Sequence, residues 1–278
     1  MATEEYPRAV WRLIVHDPAD GPANMAIDEA IAARVREGRV PPTLRFYAWE
    51  PACLSLGYSQ PAGDVDFERL RARGWDVVRR LTGGRAILHV DELTYSVVVP
   101  MDDPRVAGSV IESYRRLSRG LLTGLARLGT PVRADAAAEG AHRFRGPVCF
   151  EVPSDYEITA RGKKLLGSAQ TRRGGVILQH GALPLYGDIT RICDVLAFED
   201  RAAREAARQR VRGRAITLEE VLGRRVPFVR VADALAQGFA DALNLQLEPG
   251  ELGRSERALA DELRVTKYAT DEWTRRHP

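Results

Sequence analysis

The chain has 278 residues, 45% hydrophobic and 28% charged, which is enough for one large domain or a domain with an appendage and allows a sizeable core. Lys and Arg number 41 against 38 Asp and Glu, a net charge of +3 that excludes a nucleic-acid-binding composition, so any basic partner surface is local. Three separated cysteines without a CxxC exclude a disulfide framework and a zinc knuckle and fit a reducing cytoplasm. A basic leader and an apolar run of about 18 residues are both missing, so neither secretion nor membrane spanning is expected.

Trp11, Leu13 and Val15 alternate with polar neighbours as a half-buried strand does, and Pro18, Gly21 and Pro22 then turn the chain. A helix follows, with Asn24 as the expected cap, Ala26, Ile27, Ala30, Ile31 and Val35 on one face, and Gly38 as its stop. Residues 43–49 alternate as a strand, with 53–58 as the expected partner strand, and a short charged helix lies near Asp66 to Ala72. Residues 75–81, RAILH and LTYSVVVP read as further strands of a sheet. The longest amphipathic stretch, Ala107 to Leu128, carries Ile111, Tyr114, Leu117, Leu121, Leu125 and Leu128 in one stripe that should pack across that sheet.

Residues 132–146 have no clean period and read as a loop leading to Cys149. Segments 155–159 and 164–170 flank a turn at Arg161 and Gly162 and form a hairpin, and 175–186 adds another strand. Beyond about 195 the pattern becomes helical: Glu199 to Arg210, Thr217 to Leu222 behind a TLEE capping pattern, Val229 to Leu243, and Leu252 to Lys267. The expected architecture is α/β, a mixed, largely antiparallel sheet with packed helices, divided into a 1–198 catalytic core and a 199–278 helical C-terminal segment packing on it. Nothing demands more than a monomer.

Cys149, in GPVCFEVPS, and Lys164, at the start of the returning hairpin strand, suggest covalent acyl chemistry. A thiol attacks as thiolate, and a neighbouring ammonium lowers its pKa from roughly 8.5. At about 4 Å and an effective dielectric near 20 the attraction is of order 4 kcal/mol, formally ~3 pKa units before desolvation. Lys163 competes for that role; the two lysines face opposite sides of a strand, and the pattern leaves open which points inward. In RRLTGGRAILH (79–89), Gly83 and Gly84 let backbone N–H groups approach a ligand, with Arg79, Arg80 and Arg85 nearby; a glycine turn with solvated arginines is the plain alternative. The phrase is neither GxGxxG nor a P-loop.

NMAIDEA (24–30), LRFYAWEPACLSLGYSQ (44–60), RRLTGGRAILH, ELTYSVVVP (92–100), GKKLLGSAQTR (162–172) and KYATDEW (267–273), in order over most of the chain, resemble the lipoyl and biotinyl ligase and octanoyltransferase superfamily. CFEVPSDYEI (149–158) with GSAQTRRGGVILQHG (167–181) is most similar to its cysteine-dependent octanoyltransferases. The resemblance implies a biotin/lipoate ligase-like fold. It also implies transfer of octanoyl from acyl carrier protein through a cysteine to a lysine of a lipoyl-domain protein such as glycine cleavage H protein, without a cofactor. On it Cys149 is the nucleophile, and Lys164, three positions before Gly167, is the lysine that lowers the thiol's pKa and polarises the thioester carbonyl. Gly83 and Gly84 with Arg79, Thr82 and His89 would shape the acyl tunnel and carbonyl site, and Gly167, Ser168 and Ala169 its other wall.

Without those phrases a free cysteine is most often a small buried hydrophobe, the reading kept for Cys53 and Cys193. His89 serves equally as a strand end. His16, His142, His180 and His277 lack metal-ligand spacing, so no metal is expected. Asp28 and Glu29, adjacent on a helix, cannot form a shared acid pair. Arg201, Arg204, Arg208, Arg210, Arg212 and Arg214, opposed by Glu205, make a positive run that either steers an acidic carrier or is a solvated helix face. The rival activities are an ATP-dependent lipoate ligase, a lipoyl amidotransferase, and a binding module that tolerates loss of Cys149.

Overall fold

The computed structural model describes residues 6–135 and 157–277. Strand β1 (Ala9–Val15) enters helix α1 (Gly21–Arg36) through Asp20, whose carboxylate accepts from Ala23 N at 2.7 Å. Asp20, and not the expected Asn24, is the cap. Asn24 is buried inside the first turns, where its amide ties the backbone carbonyls of Ala19 and Ala48. Strand β2 (Thr43–Tyr47) follows, then β3 (Cys53–Leu56), α2 (Phe67–Ala72), β4 (Asp76–Arg79), β5 (Ile87–His89) and β6 (Glu92–Pro100). After α3 (Val110–Arg127) come β7 (Val132–Asp135), β8 (Glu157–Ala160), β9 (Lys163–Arg173) and β10 (Val176–Pro184). The C-terminal part holds α4 (Arg201–Arg214), α5 (Leu218–Leu222), α6 (Phe228–Leu243), β11 (Leu245–Pro249), α7 (Arg254–Leu263) and α8 (Asp271–Thr274).

Eight strands form one sheet in the order β11-β1-β2-β6-β10-β9-β8-β7, antiparallel apart from the parallel β11-β1-β2 edge, and β4-β3-β5 form a second, small sheet. The expected pairing of 43–49 with 53–58 does not occur: β2 already has β1 on one edge and β6 on the other, so β3 pairs with β4 and β5. Residues 132–135, read as loop, form β7 against β8, and β11 is a strand where only helices were expected. The 157–173 hairpin turns at Arg161 and Gly162, both with positive φ (53° and 74°), which glycine adopts at no cost.

Period-two alternation in the central strands divides the core. Tyr95, Val97 and Val99 of β6 join Leu117, Leu121 and Leu125 of α3 and Leu235 and Phe239 of α6 on one face. Val98 joins Ile31 and Val35 of α1 on the other. The expected stripe therefore packs as foreseen at Leu117, Leu121 and Leu125, while Ile111 is exposed. Both faces of β6 and β10 are buried, polar Thr94, Ser96, Gln179 and His180 included. Among the described residues no helix is long and apolar enough to cross a membrane.

Candidate active site

Residues from α1, β3, β5, β6, β9 and β10 line a concave, largely apolar pocket where the small sheet faces the large one. Gly167, Ser168 and Ala169 of β9 line one side beside His180, Gly181 and Ala182 of β10, and Ile87 and His89 of β5 line the other. Met25 and Trp49 complete its apolar surface, and Gly84, which is exposed, borders it with Arg85. The Gly57 backbone presses against the glycine loop so tightly that a Cβ on Gly57 would lie 2.0 Å from Gly84 O.

Lys164 lines this pocket with its side chain 4% exposed, and its Nζ lies 2.6 Å from Glu157 Oε1 on the adjacent strand. Strand alternation sends Lys163 the other way, where its Nζ donates to Arg212 O at 2.6 Å. The lysine that faces the pocket is therefore Lys164. Cys149 lies outside the described residues.

The remaining expected residues fall into two groups. His89, Gly84, Gly167, Ser168 and Ala169 line the pocket. Thr82 is fully buried behind the wall, with Oγ1 2.7 Å from His180 Nε2, and Gly83 gives its carbonyl to Arg80 at 2.8 Å. Arg79 points elsewhere: its guanidinium donates to the carbonyls of Gly57, Gln60 and Thr274, knitting the β3 end and the C-terminal segment together. The arginine at the pocket is its neighbour Arg80, which bonds Ser55, Thr82, Gly83 and Arg85.

Sequence reasoning placed Arg80 near the glycines without choosing it for the site, and missed Ser55, His180 and Trp49 as pocket residues. Trp49 stacks on His89 with centroids 4.0 Å apart and donates Nε1 to Thr94 Oγ1 at 2.9 Å. Burial pushes the His89 pKa below its ordinary value even though Glu92 opposes the shift. Tyr95, whose OH bonds Ser168 Oγ at 2.7 Å, is raised to about 12 by burial and remains a phenol. Behind His180, Asp28 receives Arg45, Tyr47 and Ser96. Burial favours its neutral form, but the Arg45 guanidinium and His180 outweigh that and hold the carboxyl below its usual range.

The arginine run forms α4, where Arg204 donates to Cys193 O at 3.2 Å and Arg208 pairs with Asp194. Those two side chains hold the helix to the turn before it. The pocket offers a largely apolar surface, the buried Lys164 side chain paired with Glu157, and hydroxyl and imidazole groups each tied to a partner.

The lipoyl protein ligase A/B catalytic domain model matches residues 20–240. The octanoyltransferase LipM of Kyrpidia tusciae is 48% identical over 271 residues, covering 96% of this chain and 98% of that protein. The Bacillus subtilis octanoyltransferase LipM is 39% identical over 272 residues, with coverage of 96% and 98%. Among solved structures, the bipartite lipoate protein ligase of Thermoplasma acidophilum superposes with a TM-score of 0.81 at 26% identity over 96% of each chain. A lipoate-protein ligase A bound with ATP gives 0.78 at 26% identity, covering 96% of this chain and 99% of that one. With near full-length identity to these transferases and the ligase fold around its pocket, the chain belongs to the lipoyl protein ligase A/B catalytic family, as an octanoyltransferase of the LipM group.

Proposed function

We propose that octanoyl transfer runs through a thioester on Cys149, with octanoyl-acyl carrier protein as donor and a lysine of a lipoyl-domain protein, such as glycine cleavage H protein, as acceptor. The Cys149 thiolate attacks the donor thioester carbonyl; the new carbon–sulfur bond forms, the carrier's breaks, and the departing thiolate takes a proton. The acceptor's neutral amine then attacks, an amide forms, the amine proton leaves to solvent, and Cys149 departs as thiolate. The observation that carries this reading is the Lys164 ammonium, buried in the pocket wall with Glu157 at 2.6 Å as counter-charge. A fixed positive charge there stabilises both the thiolate and the oxyanion of each tetrahedral intermediate. The chain would lie between Met25, Trp49 and Ile87, with Gly84 and Gly167 bordering the carbonyl. The lipoyl-domain acceptor is supported by the Thermoplasma ligase, whose structural analysis includes its E2 lipoyl domain.

Incubation with octanoyl-acyl carrier protein without ATP, followed by intact mass measurement before and after hydroxylamine, tests it. A labile octanoyl adduct that Cys149→Ala abolishes is the expected result. An adduct that requires ATP would instead establish the adenylate chemistry of a ligase, and no adduct would leave a binding module.

A further inference from the structure

Arg80 carries five N–H groups, and five acceptors among the described residues lie within reach of them. Nε donates to Thr82 Oγ1 at 3.2 Å, Nη1 to Ser55 O at 3.0 Å and Ser55 Oγ at 3.1 Å, and Nη2 to Gly83 O at 2.8 Å and Arg85 O at 2.9 Å. A guanidinium has no lone pair to offer, so both hydroxyl oxygens accept from it. Each hydroxyl then has one proton of its own to place. Thr82 Oγ1 has His180 Nε2 at 2.7 Å and Ser55 Oγ has His89 Nε2 at 2.8 Å, and among the described residues neither buried hydroxyl has another acceptor in reach. Each proton therefore goes to an imidazole nitrogen, which must be unprotonated to receive it.

The far side of each ring agrees. His180 Nδ1 lies 3.5 Å from Asp28 Oδ2, and His89 Nδ1 lies 3.5 Å from Glu92 Oε2. A bare lone pair there would face a carboxylate oxygen, whereas an N–H is attracted to it. The two histidines come from different sheets, yet each sits in the same series of carboxylate, imidazole, hydroxyl and the shared guanidinium.

We propose that Arg80 is a positioning residue: through Thr82 and Ser55 it fixes His180 and His89 as neutral Nδ1–H tautomers with Nε2 occupied, and so withholds an imidazole base from the acyl thioester. The second half rests on the reading of this pocket as the thioester site. Hydrolysis of a thioester needs a base that takes a proton from water while its oxygen attacks the carbonyl and the carbon–sulfur bond breaks, yielding octanoate and the Cys149 thiol. With both Nε2 lone pairs engaged, the walls offer ring carbon to the chain and no base to water.

The test uses full-length protein labelled with ¹⁵N-histidine. Long-range ¹H–¹⁵N spectra of the wild type should show unprotonated Nε2 and protonated Nδ1 at both residues. Thr82→Val should disturb His180 and spare His89, Ser55→Ala should do the reverse, and Thr82→Ser should restore the wild-type pattern. Both tautomers protonated at Nε2 in the wild type, or unchanged in the two single variants, would overturn the assignment. In Thr82→Val and in Ser55→Ala, octanoate release from the octanoyl-enzyme without acceptor should rise about tenfold, a modest fraction of full general-base catalysis, while Thr82→Ser should keep the wild-type rate. Shifted tautomers with unchanged release would overturn the protective role. Absence of any octanoyl-enzyme in the wild type would count against the Cys149 thioester instead, while the spectra still decide the tautomers of His180 and His89.

Discussion

His16 accepts from Arg45 Nε at 2.9 Å through Nδ1, and burial together with that guanidinium lowers its pKa from 6.5 to about 4. Between those values the unfolded chain binds more protons than the folded one, so the contribution is complete above 6.5, declines as the pH falls, and levels off below about 4. The loss should be roughly 1–2 kcal/mol once solvent screening of this half-buried ring is allowed for. Denaturant midpoints measured across that window should fall less steeply in His16→Gln, which keeps an acceptor and cannot titrate; equal slopes would remove His16 from the account. At the pocket, Gly57→Ala must push the Gly84 carbonyl aside, and a displacement of that size should cut turnover about 10- to 100-fold with the fold retained by circular dichroism. Residues of this kind were unevenly legible. Lys164 could be chosen over Lys163 because the spacing to Gly167 matches a family phrase, and strand alternation then requires the opposite face for its neighbour. The same alternation says that one of Arg79 and Arg80 faces the pocket without saying which. His180 was set aside for lack of metal spacing, because its partners Asp28 and Thr82 come from distant elements and meet it only in the fold.

At the scale of elements, α3 and α6 touch backbone to backbone through Gly120, Gly124 and Gly238; a Cβ on Gly238 would lie 2.2 Å from Gly124 N. Gly238→Ala should therefore force the helices apart and lower the unfolding free energy by about 1–3 kcal/mol, the usual cost of overpacking. Gly213, in α4 with open space around its Cβ position, is the control: alanine there should stabilise by up to about 1 kcal/mol. Chemical denaturation of the two variants checks both signs. Local chemistry made several elements readable. The TLEE phrase forms a capping box, with Thr217 Oγ1 accepting from Glu220 N at 3.2 Å and the Glu220 carboxylate returning to Thr217 N. Long-range pairing was not readable. The partner of β3 depends on β2 having no free edge, and β11 gains its identity from the exposed edge of β1 more than 230 residues away in sequence, Ala9 opposite Leu245.

For the whole molecule, the segments 1–198 and 199–278 share one core. Phe239 and Leu235 of α6 pack with Tyr95 and Leu44, β11 completes the sheet edge, and Arg12 pairs with the fully buried Glu256 of α7 at 2.6 Å. Removing residues 199–278 would expose that face and leave Arg12 without its carboxylate. The 1–198 fragment should show no cooperative thermal unfolding, whereas a sharp transition like that of the full chain would make it an independent domain. The mixed sheet with packed helices was legible because periodicity reports which faces are buried. The strand order was not, since it is set by contacts between segments far apart in the chain.

The central claim, that Lys164 makes Cys149 a thiolate near neutral pH, is tested most directly by the pH dependence of Cys149 alkylation, read by peptide mass spectrometry. In the wild type the midpoint should lie below the roughly 8.5 of a free thiol, Lys164→Met should raise it by about one unit or more, and Lys163→Met should leave it in place. Identical midpoints in the wild type and Lys164→Met would contradict the account.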